Sequence, residues 1–201
     1  GHVFDQTWLY GGEGNFEADG GSFGLQDAYI AKALDNGWVF VAGQLKVPMQ
    51  REFLVDSMNQ LVIERSLVDS EFYAGRTQGV ALDYRNDQFH FTVGYTDGHG
   101  ATGGTNAPAL SYDTEYSLTA RAELLLAGNW DQFNDFTSWP DEEFAFMIGG
   151  AAHYQDGEYG TAADEIEAFQ WTVDVSLEFG GANLFAYVVG RSLEATGLDL
   201  D

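Results

Sequence analysis

No cysteine occurs in the 201 residues, and only 3 prolines do. An envelope or secreted chain of this size is then held by its core or by a closed sheet, since disulfides are excluded. Lys and Arg number 8 against 32 Asp and Glu, a formal charge of -24. That balance excludes nucleic acid as a partner, because phosphate backbones are bound by cations, and it disfavours docking on anionic lipid. No run reaches the ~18 apolar residues of a membrane helix. Neither a signal peptide nor an initiator methionine stands at Gly1, so the sequence is expected to be a processed or incomplete segment of a longer precursor.

What is present is glycine, 25 residues, and aromatic side chains, 15%. Both favour β-structure over helix. Period-2 alternation gives about nine strands, at roughly 3–13, 21–34, 37–48, 77–86, 87–97, 112–128, 142–156, 165–180 and 182–194. Most are longer than the ~5–6 residues usual in soluble sheets and match the ~9–11 of tilted membrane strands. Such strands hide their hydrophobicity by alternating an apolar outward residue with a polar inward one. Phe89, Phe91, Val93 and Tyr95 alternate in this way with His90, Thr92, Gly94 and Thr96. Phe169, Trp171, Val173 and Val175 do so with Gln170, Thr172 and Asp174. In the same pattern Phe40, Gln44 and Lys46 share a face, as do Phe144, Phe146 and Ile148 against Glu143, Ala145 and Met147.

The turns at 35–37, 86–87 and 180–181 are short, whereas 98–111, 129–141 and 157–164 are long and polar. Short turns on one rim and long loops on the other is the asymmetry of outer-membrane barrels. Longest of all is the segment 49–76. A connection of that length inside one domain is usually functional.

Several blocks in and around that segment carry a resemblance. LQDAYI (25–30), GQLKVP (43–48), REFL (51–54), ERS (64–66) and GRTQGV (75–80) occur in this order, and the set resembles the phosphate-selective porin O and P family of outer-membrane porins. The resemblance covers residues 21–100 best. It implies an all-β fold, an antiparallel transmembrane β-barrel of 16 strands in the family, with residues 1–201 as one incomplete barrel domain and 49–76 as a lumen-entering constriction loop. The expected function is passive diffusion of small hydrophilic solutes or ions, of anion or phosphate type. Also implied are a homotrimer, a lipid bilayer with lipopolysaccharide as surroundings, and the outer membrane of a Gram-negative-type envelope.

On this reading Lys46, Arg51, Glu52, Glu64, Arg65 and Arg76 set selectivity at the constriction, and Asp83, Arg85, Arg121 and Glu123 line the lumen wall. Rings of Arg and Lys favour anions, and Arg offers phosphate a two-pronged fork. Alternatively, Arg65 and Arg76 pair with Glu64, Asp69 or Glu71 and hold the loop to the wall. Acidic Glu143, Asp174 and Glu178 are placed on the lumen face with Asp83 and Glu123, which leaves the sign of the selectivity open. Of the loop's apolar residues, Phe53, Leu54, Leu61 and Ile63 are expected to pack on the wall.

Nothing in the sequence indicates a cofactor or a catalytic set. The acidic runs of the loops lack the spacing of a Ca²⁺ loop, and His2, His90, His99 and His153 are too scattered for a metal signature. The alternative class is a soluble jelly-roll carbohydrate-binding protein or glycosidase, for which Glu123 and Glu178 are the candidate carboxylate pair. Neither a phosphate-cradling glycine loop nor a His-Glu-x-x-His motif occurs, so the chain is read as no enzyme.

Overall fold

The computed structural model describes residues 1–3, 7–16, 20–21, 23–98, 112–159 and 165–196. His99, Asp164 and the stretch 197–201 lie outside them. The strands are β1 (His2–Val3), β2 (Trp8–Phe16), β3 (Phe23–Ala33), β4 (Trp38–Lys46), β5 (Arg76–Arg85), β6 (Phe89–Thr96), β7 (Tyr112–Ala127), β8 (Ala145–Tyr159), β9 (Glu165–Phe179) and β10 (Ala182–Thr196). They form one 10-stranded sheet in sequence order. Each described pairing is antiparallel between sequence neighbours. This is the meander of an up-and-down barrel, not the path of a jelly roll, and among the described residues the outer edges of β1 and β10 stay open. Among the described residues no helix is long and apolar enough to cross a membrane, which says nothing about strands.

The sheet is inside-out relative to a soluble one. On β7 to β9 the concave face carries Ser117, Thr119, Arg121, Glu123, His153, Gln170, Thr172, Asp174 and Ser176, all buried. The convex face carries Leu118, Leu124, Ile148, Phe169, Trp171 and Val173, all exposed. Polar groups can be buried here because the β4–β5 connection, residues 47–75, folds onto the concave side. It contributes two short helices, α1 (Arg51–Leu54) and α2 (Leu67–Phe72). Ser66 caps α2, its hydroxyl accepting from the Asp69 amide at 3.0 Å.

The connection at 128–144 departs from the expected rim asymmetry. It lies on the same rim as the short turns at 35–37, 86–88 and 180–181, since successive antiparallel connections alternate between rims. Instead of standing off as an exposed loop it turns inward. Phe133 and Phe136 are buried, and the Phe136 amide donates to the Asn59 carbonyl of the long connection at 3.2 Å. Glu143 belongs to this connection and is exposed ahead of β8, so its placement on the lumen face is corrected.

A second correction concerns β4. Phe40 is exposed on the convex side, in the row that includes Leu82 and Val93, whereas Lys46, of the same parity, sits against the concave-side connection. The alternation breaks at Gly43, whose φ is 137°. A Cβ there would lie 2.2 Å from the Ala28 carbonyl oxygen, so only glycine fits this conformation and close approach.

Candidate functional site

The root of the long connection is built on a buried ion pair. Arg121 of β7 is 3% exposed. It donates from Nη1 to Asp174 Oδ2 at 2.8 Å and from Nη2 to Asp174 Oδ1 at 3.0 Å, the fork-to-carboxylate geometry that suits Arg. The same guanidinium reaches Glu123 Oε1 at 2.8 Å and the Met49 carbonyl at 2.9 Å. The sheet makes room for this group at Gly149, where a Cβ would come within 2.6 Å of Arg121 Nη2 and 2.7 Å of Asp174 Oδ1.

Arg51, at the start of α1, is also buried. Its Nε donates to Ser176 Oγ at 3.0 Å and its Nη2 to the Phe133 carbonyl at 2.7 Å, and the guanidinium lies over the Phe133 and Phe136 rings. Arg51 thus joins both inward-folding connections to β9. Glu52 is buried beside it and accepts from the Ser66 amide, the Ser66 hydroxyl and the Tyr187 hydroxyl of β10. Farther along, Gln170 donates to the Phe72 carbonyl, and Arg191 to the Glu71 carbonyl at 2.9 Å. From Met49 to Phe72, then, the connection is tied to β7, β9 and β10.

Three of the cations singled out from sequence converge on one ring. Lys46 Nζ, Arg65 Cζ and Arg76 Cζ lie 5.8, 5.3 and 5.6 Å from the centroid of Phe53, a cation–π arrangement that holds the three charges together. Lys46 pairs with Asp56 at 2.8 Å and Arg76 with Asp27 at 2.9 Å, while Arg65 is 3.9 Å from Asp69. Arg76 therefore takes its carboxylate from β3, and of the partners named from sequence only Asp69 is used, by Arg65. Glu64 is exposed. Phe53 is buried as expected, but Leu61 and Ile63 are 70% and 100% exposed, which corrects their expected packing on the wall. The local backbone has no regular structure between 60 and 66 apart from bends, so no periodicity turns these side chains to the sheet.

Two cavities flank Lys46. One, of about 500 Å³, is lined by Lys46, Arg51, Asp56, Arg85, His90, Arg121 and Glu123 among others. The other, of about 570 Å³, is bounded by Glu13, Lys46, Asp56, Arg65 and Arg76. The sequence reading missed Arg51 as an anchor and His90 as a lining residue. Alternation did place His90 on the concave face, but only the fold brings carboxylates to both of its nitrogens. Among the described residues no group of three or more His, Asp or Glu is placed to hold a metal.

One loop carboxyl titrates far from its ordinary value. Asp69 is 2% exposed, and its Oδ1 has no hydrogen-bond partner. Burial first, then the nearby Glu52 charge, push its pKa up to about 7, against the opposing pull of Arg65. A raised folded-state pKa means that the protonated form is favoured. The stability it lends is fully present below the ordinary value of 3.8 and is lost as pH rises through about 7. The seating of α2 should weaken by about 1–2 kcal/mol between pH 6 and pH 8. Protease protection of the segment 60–72 should fall over that interval in the wild type and stay level in Asp69→Asn.

A family model described as phosphate-selective porin O and P matches residues 6–144. No curated protein and no solved structure matches the chain significantly.

Proposed function

The chain belongs to the phosphate-selective porin O and P family, and from that premise we propose that it forms a passive diffusion channel of the outer membrane for small hydrophilic ions, with anions preferred. The family is one of channels and not of enzymes. The observation that carries the anion preference is the gathering of Lys46, Arg65 and Arg76 around Phe53. Lys46 lines both cavities, and Arg65 and Arg76 line the second beside the inward-folding segment. The acidic total of -24 does not decide the matter. Charges more than ~8 Å away are screened at physiological salt, so local charge outweighs net charge at a narrowing.

In this proposal 49–76 is the constriction loop. Lys46, Arg65, Arg76 and Glu64 act at the passage, and Arg51 and Glu52 act by holding the loop in place. Asp83, Arg85, Arg121 and Glu123 complete the wall. A homotrimer in a bilayer with lipopolysaccharide, passing phosphate-like solutes, is the assembly proposed with it.

Reversal potentials of the full-length protein in planar bilayers, taken in a KCl gradient, test the reading. Chloride should be preferred over potassium, and the preference should weaken in Lys46→Ala. Removal of residues 53–70 should raise single-channel conductance. Potassium preference in the wild type would sink the anion assignment, and unchanged conductance after the deletion would place the narrowing elsewhere.

A further inference from the structure

His90 of β6 stands between two carboxylates. Its Nε2 is 2.7 Å from Asp83 Oδ2 of β5, and its Nδ1 is 2.7 Å from Glu123 Oε2 of β7. A neutral imidazole has one N–H and one lone pair. It can donate to one carboxylate but must turn its lone pair on the other, which at this distance repels. Two such contacts need either an imidazolium or a protonated carboxyl. The neighbours decide between them. Thr92 Oγ1 donates to the same Asp83 oxygen at 2.6 Å, and Arg121 donates twice to Glu123 Oε1, at 3.0 and 2.8 Å. Both carboxylates are thereby held in the charged form, and the proton belongs on the ring.

The charge of this one ring decides the sign of the wall. The cavity of about 500 Å³ is lined by the cations Lys46, Arg51, Arg85 and Arg121, by the carboxylates Asp56 and Glu123, and by His90. Asp83 and Asp174 stand directly behind, hydrogen-bonded to His90 and Arg121. Without His90 the four cations meet four carboxylates and cancel. With the imidazolium, one positive charge is left over. Around the ring, Asp83 and Arg85 face it from β5, and Glu123 and Arg121 from β7. Lys46, Arg51 and Asp56 face it across the cavity, and the Trp130 ring packs edge-on at 5.9 Å.

We propose that His90 is a selectivity-determining residue of the channel, an imidazolium clamped between Asp83 and Glu123 whose charge gives the passage beside it its net positive sign. The proposal rests on the channel reading above. It adds that the choice between anion and cation turns on an imidazolium whose charge is held in place by the two carboxylates that flank it.

The test uses the full-length channel in planar bilayers under a KCl gradient. His90→Gln should shift the chloride-to-potassium permeability ratio toward potassium by about two- to fivefold, the effect of one unit charge a few ångströms from the path in water. His90→Lys, which keeps the charge, should stay near the wild-type ratio. An unchanged ratio in His90→Gln overturns the proposal. So does an equal shift in both variants, since that would report a structural role without charge. If neither variant inserts, nitrogen-15 spectra of the histidine-labelled wild type refolded in detergent read the charge state of the ring directly. Protons on both His90 nitrogens support the assignment, and a neutral ring ends it. Failure of the wild type to conduct at all would instead count against the channel reading itself.

Discussion

Arg121→Met is expected to cost about 3–5 kcal/mol of stability and to free the root of the long connection from the wall. The reason is the burial of every partner. Asp174 is 3% exposed and Glu123 is 7%, so removing the guanidinium leaves two carboxylates facing each other under the loop. Breaking a buried pair from one side costs far more than the pair contributes, because Asp174 is left without its guanidinium partner and out of water, and Glu123 keeps only His90. The Met49 carbonyl loses its donor as well, and a buried carbonyl left unsatisfied adds to the penalty. Methionine matches the stem of Arg in length, so the loss cannot be assigned to an empty volume. Urea unfolding of the protein refolded in detergent should show the full effect in Arg121→Met. A smaller loss is expected in Asp174→Asn, which keeps an acceptor oxygen and removes one charge. Equal and negligible losses in both would mean that water, not the loop, covers this face.

The strands were legible in the sequence because alternation on a two-sided wall is local information. Phe169, Trp171 and Val173 need only lipid on one side, and Gln170, Thr172 and Asp174 only polar company on the other. Their exposure follows from position parity alone. Where parity failed, a single backbone feature was responsible. Gly43 with its positive φ separates Phe40 from Lys46, and no composition rule announces that a glycine within a strand breaks the alternation instead of merely lowering its stability. Glu143 was misplaced for a different reason. The inward turn at 128–144 is set by Phe133 and Phe136 finding Arg51, a contact between residues about eighty positions apart, which no local pattern contains.

The site was legible as a set of charges but not as a geometry. Lys46, Arg65 and Arg76 could be picked out because the chain has so few cations, and their collection in one segment was visible by eye. That they share Phe53 as a common floor depended on the path of the connection. Arg51 belongs to the same run of sequence, yet α1 points it into the wall, toward Ser176 and the Phe133 carbonyl. Its neighbour Glu52 is likewise spent on Ser66 and Tyr187. The division of one charged cluster into anchors and passage-side groups is a property of the docked loop. Only long-range pairing with β9 and β10 establishes it.

Val173→Arg is expected to destabilise the barrel in a bilayer by ~2–4 kcal/mol. Val173 stands near the middle of β9, opposite Gly150 on β8 and Val188 on β10. It is 58% exposed and Val188 62%, so this stretch of the convex face offers a guanidinium no partner of opposite charge. Backbone groups cannot serve either, since those of β9 are committed to the ladders on both sides. From mid-strand the side chain must reach past several apolar rows to find head groups, and its stem is too short to bring the charge fully into water. The cost should therefore depend on depth. Phe179→Arg at the end of the same strand, where the rim is close, should lose ~0–1 kcal/mol. Refolding into lipid vesicles with denaturant titration gives both numbers in one experiment. A steep difference between the two positions is the signature of hydrocarbon outside the wall. Equal, small losses at both would mean that the convex face meets water, and would sink the membrane-facing assignment of Phe169, Trp171 and Val173.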